Sequence, residues 1–375
     1  MKRPRVSFLW KDPGACRSFR TAVSLHGHTL HSREYFDFIP RYQERMPALA
    51  WLIRREAKRH GVAELSAKAF QRAWWTPPLS AREALRLESS QLARLGCEGI
   101  VSLTDHDNIQ AASELQLLEE GRSLPISVEW TVPFRRSSFH FGIHDLPPLS
   151  ASRFMREMQA VTRGEPGTSF RPVLRELARR PGVLIVLNHP LWDESGAGSG
   201  LHAGNLREIL QQCGGDIHAL ELNGDRSWAE NREVIALAES KGMPIVSGGD
   251  RHGCDANPVV NLTNATGFAE FADQIRQGAG EVLFLPRYRE SRKLRLFETG
   301  CQVIRDYPEH SLGWTSWSDR VFYAAEDGTV RSLTGILGVR QPGTLNRIFR
   351  FIRLLGTEQM RPALRLALAE KEILP

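Results

Sequence analysis

Cysteine is scarce in this chain and scattered. The five residues Cys16, Cys97, Cys213, Cys254 and Cys301 are odd in number and contain no C-x-x-C pair. Neither a disulfide framework nor a thiolate zinc site is indicated, and a reducing, cytoplasmic setting is expected. No apolar run approaches the roughly 18 residues a membrane helix needs. The basic segment MKRPRVSFLWKDPGACRSFR (1–20) lacks the apolar core of a signal peptide. Internal repeats and low-complexity tracts are missing too. Histidine is also uncommon, 12 in 375 residues, yet SLHGHTLHS (24–32) holds three of them.

The remaining composition is that of an ordinary globular protein, 41% hydrophobic and 25% charged, and long enough to bury a full core. A formal charge of +6 favours anionic partners as a statement about field and solubility. Phosphorylated small molecules, nucleic acid and acidic membrane surfaces all stay open on that ground.

The middle of the chain is the most legible. Helical spacing predicts helices over 81–97, 169–180, 205–213 and 228–242, and short apolar runs predict strands over 99–105, 183–188, 217–223 and 243–250. Alternating helices and continuously apolar strands point to a parallel sheet covered by helices, as in a β/α barrel or an open α/β sheet. Polar clusters sit where these strands end: TDHD (104–107), NHP (188–190), LNGD (222–225) and GGDRH (248–252). In barrels of this kind the active site gathers at the C-terminal strand ends.

Two stretches break the rhythm. Residues 35–80 carry a helical segment (45–61) and the pair Trp74–Trp75, read as an insertion that could cap the site. Beyond 285 the chain turns basic in PRYRESRKLRLF (286–297). It then offers a hairpin around EDGT (326–329) and two terminal helices, GTLNRIFRFIRLLG (343–356) and PALRLALAEKE (362–372). The organisation expected is an N-terminal extension (1–20), a catalytic unit (21–285) and a basic C-terminal extension (286–375). The arginine-and-apolar pattern of the first terminal helix suits packing on the body of the protein, or else a membrane surface or partner.

On a strand, residues i and i+2 share a face, so His26 and His28 would present two imidazoles to one volume, a good start for zinc, manganese or iron. In order, HGHTLHS (26–32), TDHD (104–107), VEW (128–130), FHFGIH (139–144), NHP (188–190), ELN (221–223) and GGDRH (248–252) form a series. It resembles the polymerase and histidinol phosphatase (PHP) family of metal-dependent phosphoesterases over roughly residues 20–270.

That resemblance implies a distorted (β/α)7 TIM-like barrel holding two or three divalent ions. It places His26, His28, Glu129 and Asp250 around a first metal, Glu129 with His140 and His189 around a second, and His106 and His252 around a third. Relatives carry Asp or His shortly after the motif serine; here Ser32 is followed by Arg33 and Glu34, and Glu34 is the candidate ligand. His144 competes with His140 for one position, and Asn223 could orient a ligand. Asp105, with His26, His28, His106, Glu129, Asp250 and His252, belongs to the candidate catalytic set.

Histidine-rich sites with a few carboxylates suit Mn, Zn or Fe better than Mg. Such ions lower the pKa of bound water and give a hydroxide for attack on phosphorus. Arg33, Arg226 and Arg251 are candidate phosphate clamps, because guanidinium matches phosphate bidentately. The expected activity is hydrolysis of a small phosphomonoester or nucleotide. The alternatives are a nuclease acting on RNA or DNA ends, gripped by the basic segment at 287–295, and an inactive PHP-like binding module.

Overall fold

The computed structural model describes residues 5–36, 70–337 and 343–370, with positions 39, 51, 55, 58 and 374 besides. The helix expected over 45–61 lies outside the described residues. Two of the helices legible in the sequence begin on capping serines. In Ala81–Arg94, Ser80 Oγ accepts from the Glu83 N–H at 3.3 Å and Glu83 Oε2 accepts from the Ser80 N–H at 2.8 Å, a reciprocal capping box. Trp228–Lys241 starts on Ser227, whose Oγ accepts from the Glu230 N–H, and stops at Gly242 in the left-handed region. Phe170–Ala178 and Ser199–Cys213 fall on the expected segments, the second starting six residues earlier than its apolar pattern suggests.

The strands do not close into one barrel. In chain order they are β1 (Arg5–Phe8), β2 (Thr21–Ser24), β3 (Glu34–Tyr35), β4 (Ala73–Trp75), β5 (Glu98–Val101), β6 (Val128–Phe134), β7 (Ser137–His144), β8 (Leu184–Asn188), β9 (Ala219–Asn223), β10 (Ile245–Gly248), β11 (Val259–Thr263), β12 (Glu281–Phe284), β13 (Val321–Ala324) and β14 (Val330–Ser332). Among the described residues they form three separate sheets, β1-β12-β11-β2-β5, β10-β9-β8-β7-β6 and β14-β13-β4-β3. The barrel expected from the sequence is therefore corrected to a mixed α/β architecture of three sheets. The parallel expectation holds for the strands read from the sequence, since β8–β9, β9–β10 and β2–β5 are parallel, but β6–β7, β7–β8, β11–β12 and β11–β2 are antiparallel and make the sheets mixed. A short apolar run states that a strand is buried, but neither its direction nor its second neighbour.

The two large sheets meet at two seams where side chains do what a ladder would otherwise do. At the first, between β10 and β11, the Asn261 amide imitates a peptide: its Oδ1 accepts from the Ser247 N–H at 2.7 Å and its Nδ2 donates to the Ser247 carbonyl at 3.3 Å. At the second, between β5 and β6, strand pairing shrinks to the single bridge His106–Glu129. There the Asp107 N–H donates to the Glu129 carbonyl and the Glu129 N–H to the Asp105 carbonyl. Beneath that bridge, Ser102 Oγ donates to Ser127 Oγ at 2.8 Å and lies 2.7 Å from His144 Nδ1.

The third sheet joins segments far apart in sequence. β4 pairs with β3 and also with β13, and β13 forms the expected hairpin with β14 around residues 325–329. Trp74 stacks on Phe322 in this sheet. β1 pairs in parallel with β12, which puts residues 5–8 in the first large sheet. The terminal helices are Gly343–Leu355 and Arg361–Ala367. Phe349 of the former meets Trp317 edge-on at 4.5 Å, so this side of the helix packs on the body, while Phe351 and Leu354 are exposed. Among the described residues no helix is long and apolar enough to cross a membrane.

His144, fully buried under the second seam, is held neutral: burial pushes its imidazole from 6.5 down to about 3, and the nearby His26 adds to this. In the unfolded chain it takes up a proton below about pH 6.5, whereas in the folded chain it resists until about pH 3, so acid favours unfolding across that window. Stability should therefore fall as pH drops from 6.5 towards 4, with this residue adding at most about 1.4 kcal/mol per pH unit. Urea unfolding at several pH values should show a shallower pH slope in His144→Gln than in the wild type, whatever that variant's offset at pH 7.5.

Candidate metal centre

Loops that follow β2, β5, β8 and β10, together with Glu129 near the start of β6 and His140 in the middle of β7, deliver the polar residues to one buried volume. β2 stops at Ser24, so His26 and His28 are not on a strand as H-x-H suggested. His26 instead takes a left-handed conformation (φ 60°), and Gly27 forms an isolated bridge with Arg251. His189 and Asp250, just past β8 and β10, also have positive φ, 27° and 54°. Non-glycine residues in that region cost energy and collect where function over-determines the backbone. Strand ends that turn sharply bring the rings together here, in place of strand alternation.

Glu129 is the hub. Its Oε2 lies 3.0 Å from His26 Nε2, 3.3 Å from His28 Nε2 and 3.3 Å from His106 Nε2. Its Oε1 lies 3.3 Å from His140 Nδ1 and 3.2 Å from His189 Nε2, and accepts from Asn188 Nδ2 at 2.9 Å. Asp250 Oδ1 completes the first group, 3.5 Å from His26 Nε2 and 3.4 Å from His28 Nε2. Glu34 Oε2 sits 3.2 Å from His252 Nε2 and 3.5 Å from His106 Nε2. Three overlapping groups could each hold an ion: His26, His28, Glu129 and Asp250; His106, Glu129 and His140; and His28, Glu34, His106 and His252. His106 and His28 thus each serve two groups.

A proton inventory explains why the volume suits a cation. His26 Nε2, His28 Nε2, Glu129 Oε2 and His140 Nδ1 are buried and have no hydrogen-bond partner, a costly condition in a dry interior. Burial drives the His26 imidazole down, but Glu129, Glu221 and Asp250 more than reverse this and leave it well above the usual value. Burial opposes ionisation of Glu129 as well, yet His26, His106 and His140 hold it well below the carboxylate range. His252 is lifted to about 10 against its burial by Glu34, and His28 is pushed down to about 3 by burial and by His252. Without an ion the cluster needs protons on some rings to balance its carboxylates, and a divalent ion would meet the same need at the orphaned atoms.

Supporting residues fix which nitrogen faces inward. Glu221 Oε1 is 2.5 Å from His26 Nδ1, and its Oε2 accepts from the His189 N–H at 2.8 Å. A Cβ on Gly248 would come within 1.7 Å of that Oε1, so only glycine there lets Glu221 reach His26. Glu194 Oε2 is 2.9 Å from His140 Nε2, which leaves Nδ1 towards Glu129. Carboxylates that orient histidines in this way are typical around metals. Glu221 was visible only as part of ELN, and Glu194 was missed: it stands five residues beyond His189 in a loop without periodicity.

The remaining candidates are placed otherwise. Asp105 is turned to the loop, accepting from the Thr29 N–H at 2.6 Å and Thr29 Oγ1 at 2.8 Å, and burial pushes its carboxyl up to about 6. Asn223 Nδ2 donates to Glu221 Oε2. Arg226 is buried against the cluster, its Nη2 3.6 Å from Asp250 Oδ2 and its guanidinium 3.8 Å from the centre of the Trp192 ring. Arg33 is exposed over Trp74. Arg251 is fully committed elsewhere. Its Nε donates to Glu88 Oε1, its Nη1 to the Gly253 carbonyl and its Nη2 to the His28 carbonyl, each at 3.0 Å.

No family model and no curated protein matches the chain. Among solved structures it is similar to a candidate metal-dependent phosphoesterase from Bifidobacterium adolescentis, at 13% identity over 53% of this chain and 92% of that one, TM-score 0.36. It is also similar to an amidohydrolase from Chromobacterium violaceum solved with sulfate and no metal, at 17% identity over 63% of this chain and 89% of that one, TM-score 0.36.

The ion pair Arg251–Glu88 is buried on both sides and braces the loop behind His28. Arg251→Met should destabilise the protein by about 3–5 kcal/mol, because it strands the Glu88 carboxylate. Adding Glu88→Leu to that variant should recover part of the loss. Thermal or urea unfolding of the two variants checks both statements, and a double variant no better than Arg251→Met would contradict them.

Proposed function

We propose that this chain is a metal-dependent phosphoric ester hydrolase of the PHP type, binding two or three Mn, Zn or Fe ions and acting on a small phosphomonoester or nucleotide. The observation that carries the reading is the convergence of four buried polar atoms without a hydrogen-bond partner, His26 Nε2, His28 Nε2, Glu129 Oε2 and His140 Nδ1, on one volume. Nitrogen-rich donor sets with few carboxylates favour those ions over Mg. Residues His26, His28, Glu129 and Asp250 would hold one ion, Glu129 with His140, His106 and His189 a second, and Glu34 with His28, His106 and His252 a third. Bound there, such ions supply a nucleophile near neutral pH and neutralise charge gathering on a phosphoryl group.

The chain's own residues complete the site. Arg226 is the best placed of the three arginines to meet a phosphoryl oxygen, being stacked on Trp192 and next to Asp250. Its buried Nε has no partner, so a donor stands ready at low entropic cost. Asp105 works at one remove, holding the 26–32 loop through Thr29. Glu34, 3.2 Å from His252 Nε2, raises that imidazole to about 10 against its burial, so the pair favours the protonated ring. Three of the five basic residues at 287–295 are engaged within the protein, while Arg289 and Lys293 stay exposed. Arg287 pairs with Asp255 and Glu298, Arg292 donates to the Asp225 carbonyl, and Arg295 donates to the carbonyls of Tyr288, Glu290 and Arg226.

Elemental analysis of protein purified without chelator should find two to three equivalents of Mn, Zn or Fe, and hydrolysis of a generic phosphomonoester should vanish after chelation and return with Mn. His26→Ala and Asp250→Ala should each cut kcat by at least about 100-fold. Arg226→Met should act mainly on KM, raising it about tenfold, as expected for a charge-assisted contact worth about 1.5 kcal/mol. A protein that takes up no metal and turns over no ester, even after Mn loading, would refute the reading.

A further inference from the structure

Glu34 reaches the cluster from the third sheet, unlike the other residues, which stand on the two large ones. It is the first residue of β3, opposite Trp75 of β4, and Trp75 in turn is opposite Val321 of β13. Glu34 and Trp75 both face the cluster: Glu34 Oε2 is 3.2 Å from His252 Nε2, and the Trp75 and His252 rings lie 5.8 Å apart. On the opposite side of the sheet Tyr35, Trp74, Phe322 and Trp314 form a chain of ring contacts with centroids 5.1–6.2 Å apart. The two-residue strand β3 is thus held by β4, and β4 by β13, nearly 290 residues downstream of Glu34. A two-residue strand has little hold on its own, because short isolated pairings are marginal in water.

We propose that the C-terminal hairpin β13–β14 is a working part of the metal centre. It fixes Glu34 through β4 and β3, so filling of the His28, Glu34, His106 and His252 group and ordering of the hairpin are one linked equilibrium. The inference rests on the metal-binding reading above. If an ion binds the assembled group better than the disassembled one, it must stabilise the assembled sheet by the same free energy, and a docked hairpin must raise ion affinity by the same factor. Glu34 is the contact through which the coupling passes. Ser32 Oγ, which donates to Glu34 Oε1 at 2.6 Å, ties the same carboxylate to the histidine loop. The hairpin is a positioning element and touches no reacting atom.

The test is hydrogen exchange of the full chain, apo and loaded with MnCl2 alone, paired with ion counts after gel filtration. In the wild type, Mn should slow exchange of the β13 and β14 amides at least tenfold. Glu34→Gln should lose that slowing and hold one ion fewer while keeping its other ions. Phe322→Ser, which breaks the aromatic chain without touching the cluster, should also hold one ion fewer, a change that loss of packing alone would not produce. Equal exchange with and without Mn in a protein that retains its ions overturns the inference and leaves the metal reading standing, as does a Glu34→Gln protein with the full ion count and the same slowing. A wild type that binds no Mn overturns both.

Discussion

The structure depends on one costly placement: the carboxylate of Glu129, fully buried, with nitrogen atoms of five histidines within 3.3 Å. Burying an ionised carboxylate without compensation costs several kcal/mol even after relaxation. Compensation by protonated imidazoles only moves the problem, since those rings are buried as well and repel one another. Everything around Glu129 serves to keep the balance. Glu221 and Glu194 draw away the outer nitrogens of His26 and His140, and Asn188 donates to Glu129 Oε1. A divalent ion is the compensation this arrangement suits, since one charge of +2 can face several neutral rings and two carboxylates together.

That placement also accounts for the shape of the fold. Residues that must aim at Glu129 leave their strands early, through left-handed turns at His26, His189 and Asp250. At the second seam the backbone of Glu129 itself joins the sheets, through the exchange of hydrogen bonds with Asp105 and Asp107. The sheets remain separate where their polar residues converge, and Asn261 satisfies the Ser247 backbone groups that a continuous ladder would have paired.

The legible part of the sequence was the part governed by local rules. Helical spacing over 81–97, 169–180 and 228–242 and the apolar runs of β8, β9 and β10 placed helices and strands within a few residues, because short-range periodicity decides them. The histidines and carboxylates that meet at Glu129 were legible as an ordered series of strand-end motifs. Closure was not, since β7 and β11 run antiparallel to neighbours whose own sequences read the same in either direction. Arg251 could not be told from a phosphate clamp by its position beside Asp250. Its partner Glu88 lies 163 residues away on a helix, where it reads as one more polar position. Glu194 sits in a loop, where no period marks a residue's direction.

Distance in the chain also decides how rigid the two halves of the cluster can be. Glu129, Asp250, His26 and His189 are carried by large sheets with dry interiors, and their geometry is set by packing that no small motion can relax. Glu34 is carried by two residues of strand and an aromatic chain on partly exposed elements, where opening costs least. A site built this way has a fixed part and a part that can be lost or gained. The fixed part contains the two groups centred on Glu129, and the variable part is the group that Glu34 completes. Any dependence of the centre on the β13–β14 hairpin must therefore enter through the Glu34 group, because none of the residues around Glu129 belongs to the third sheet.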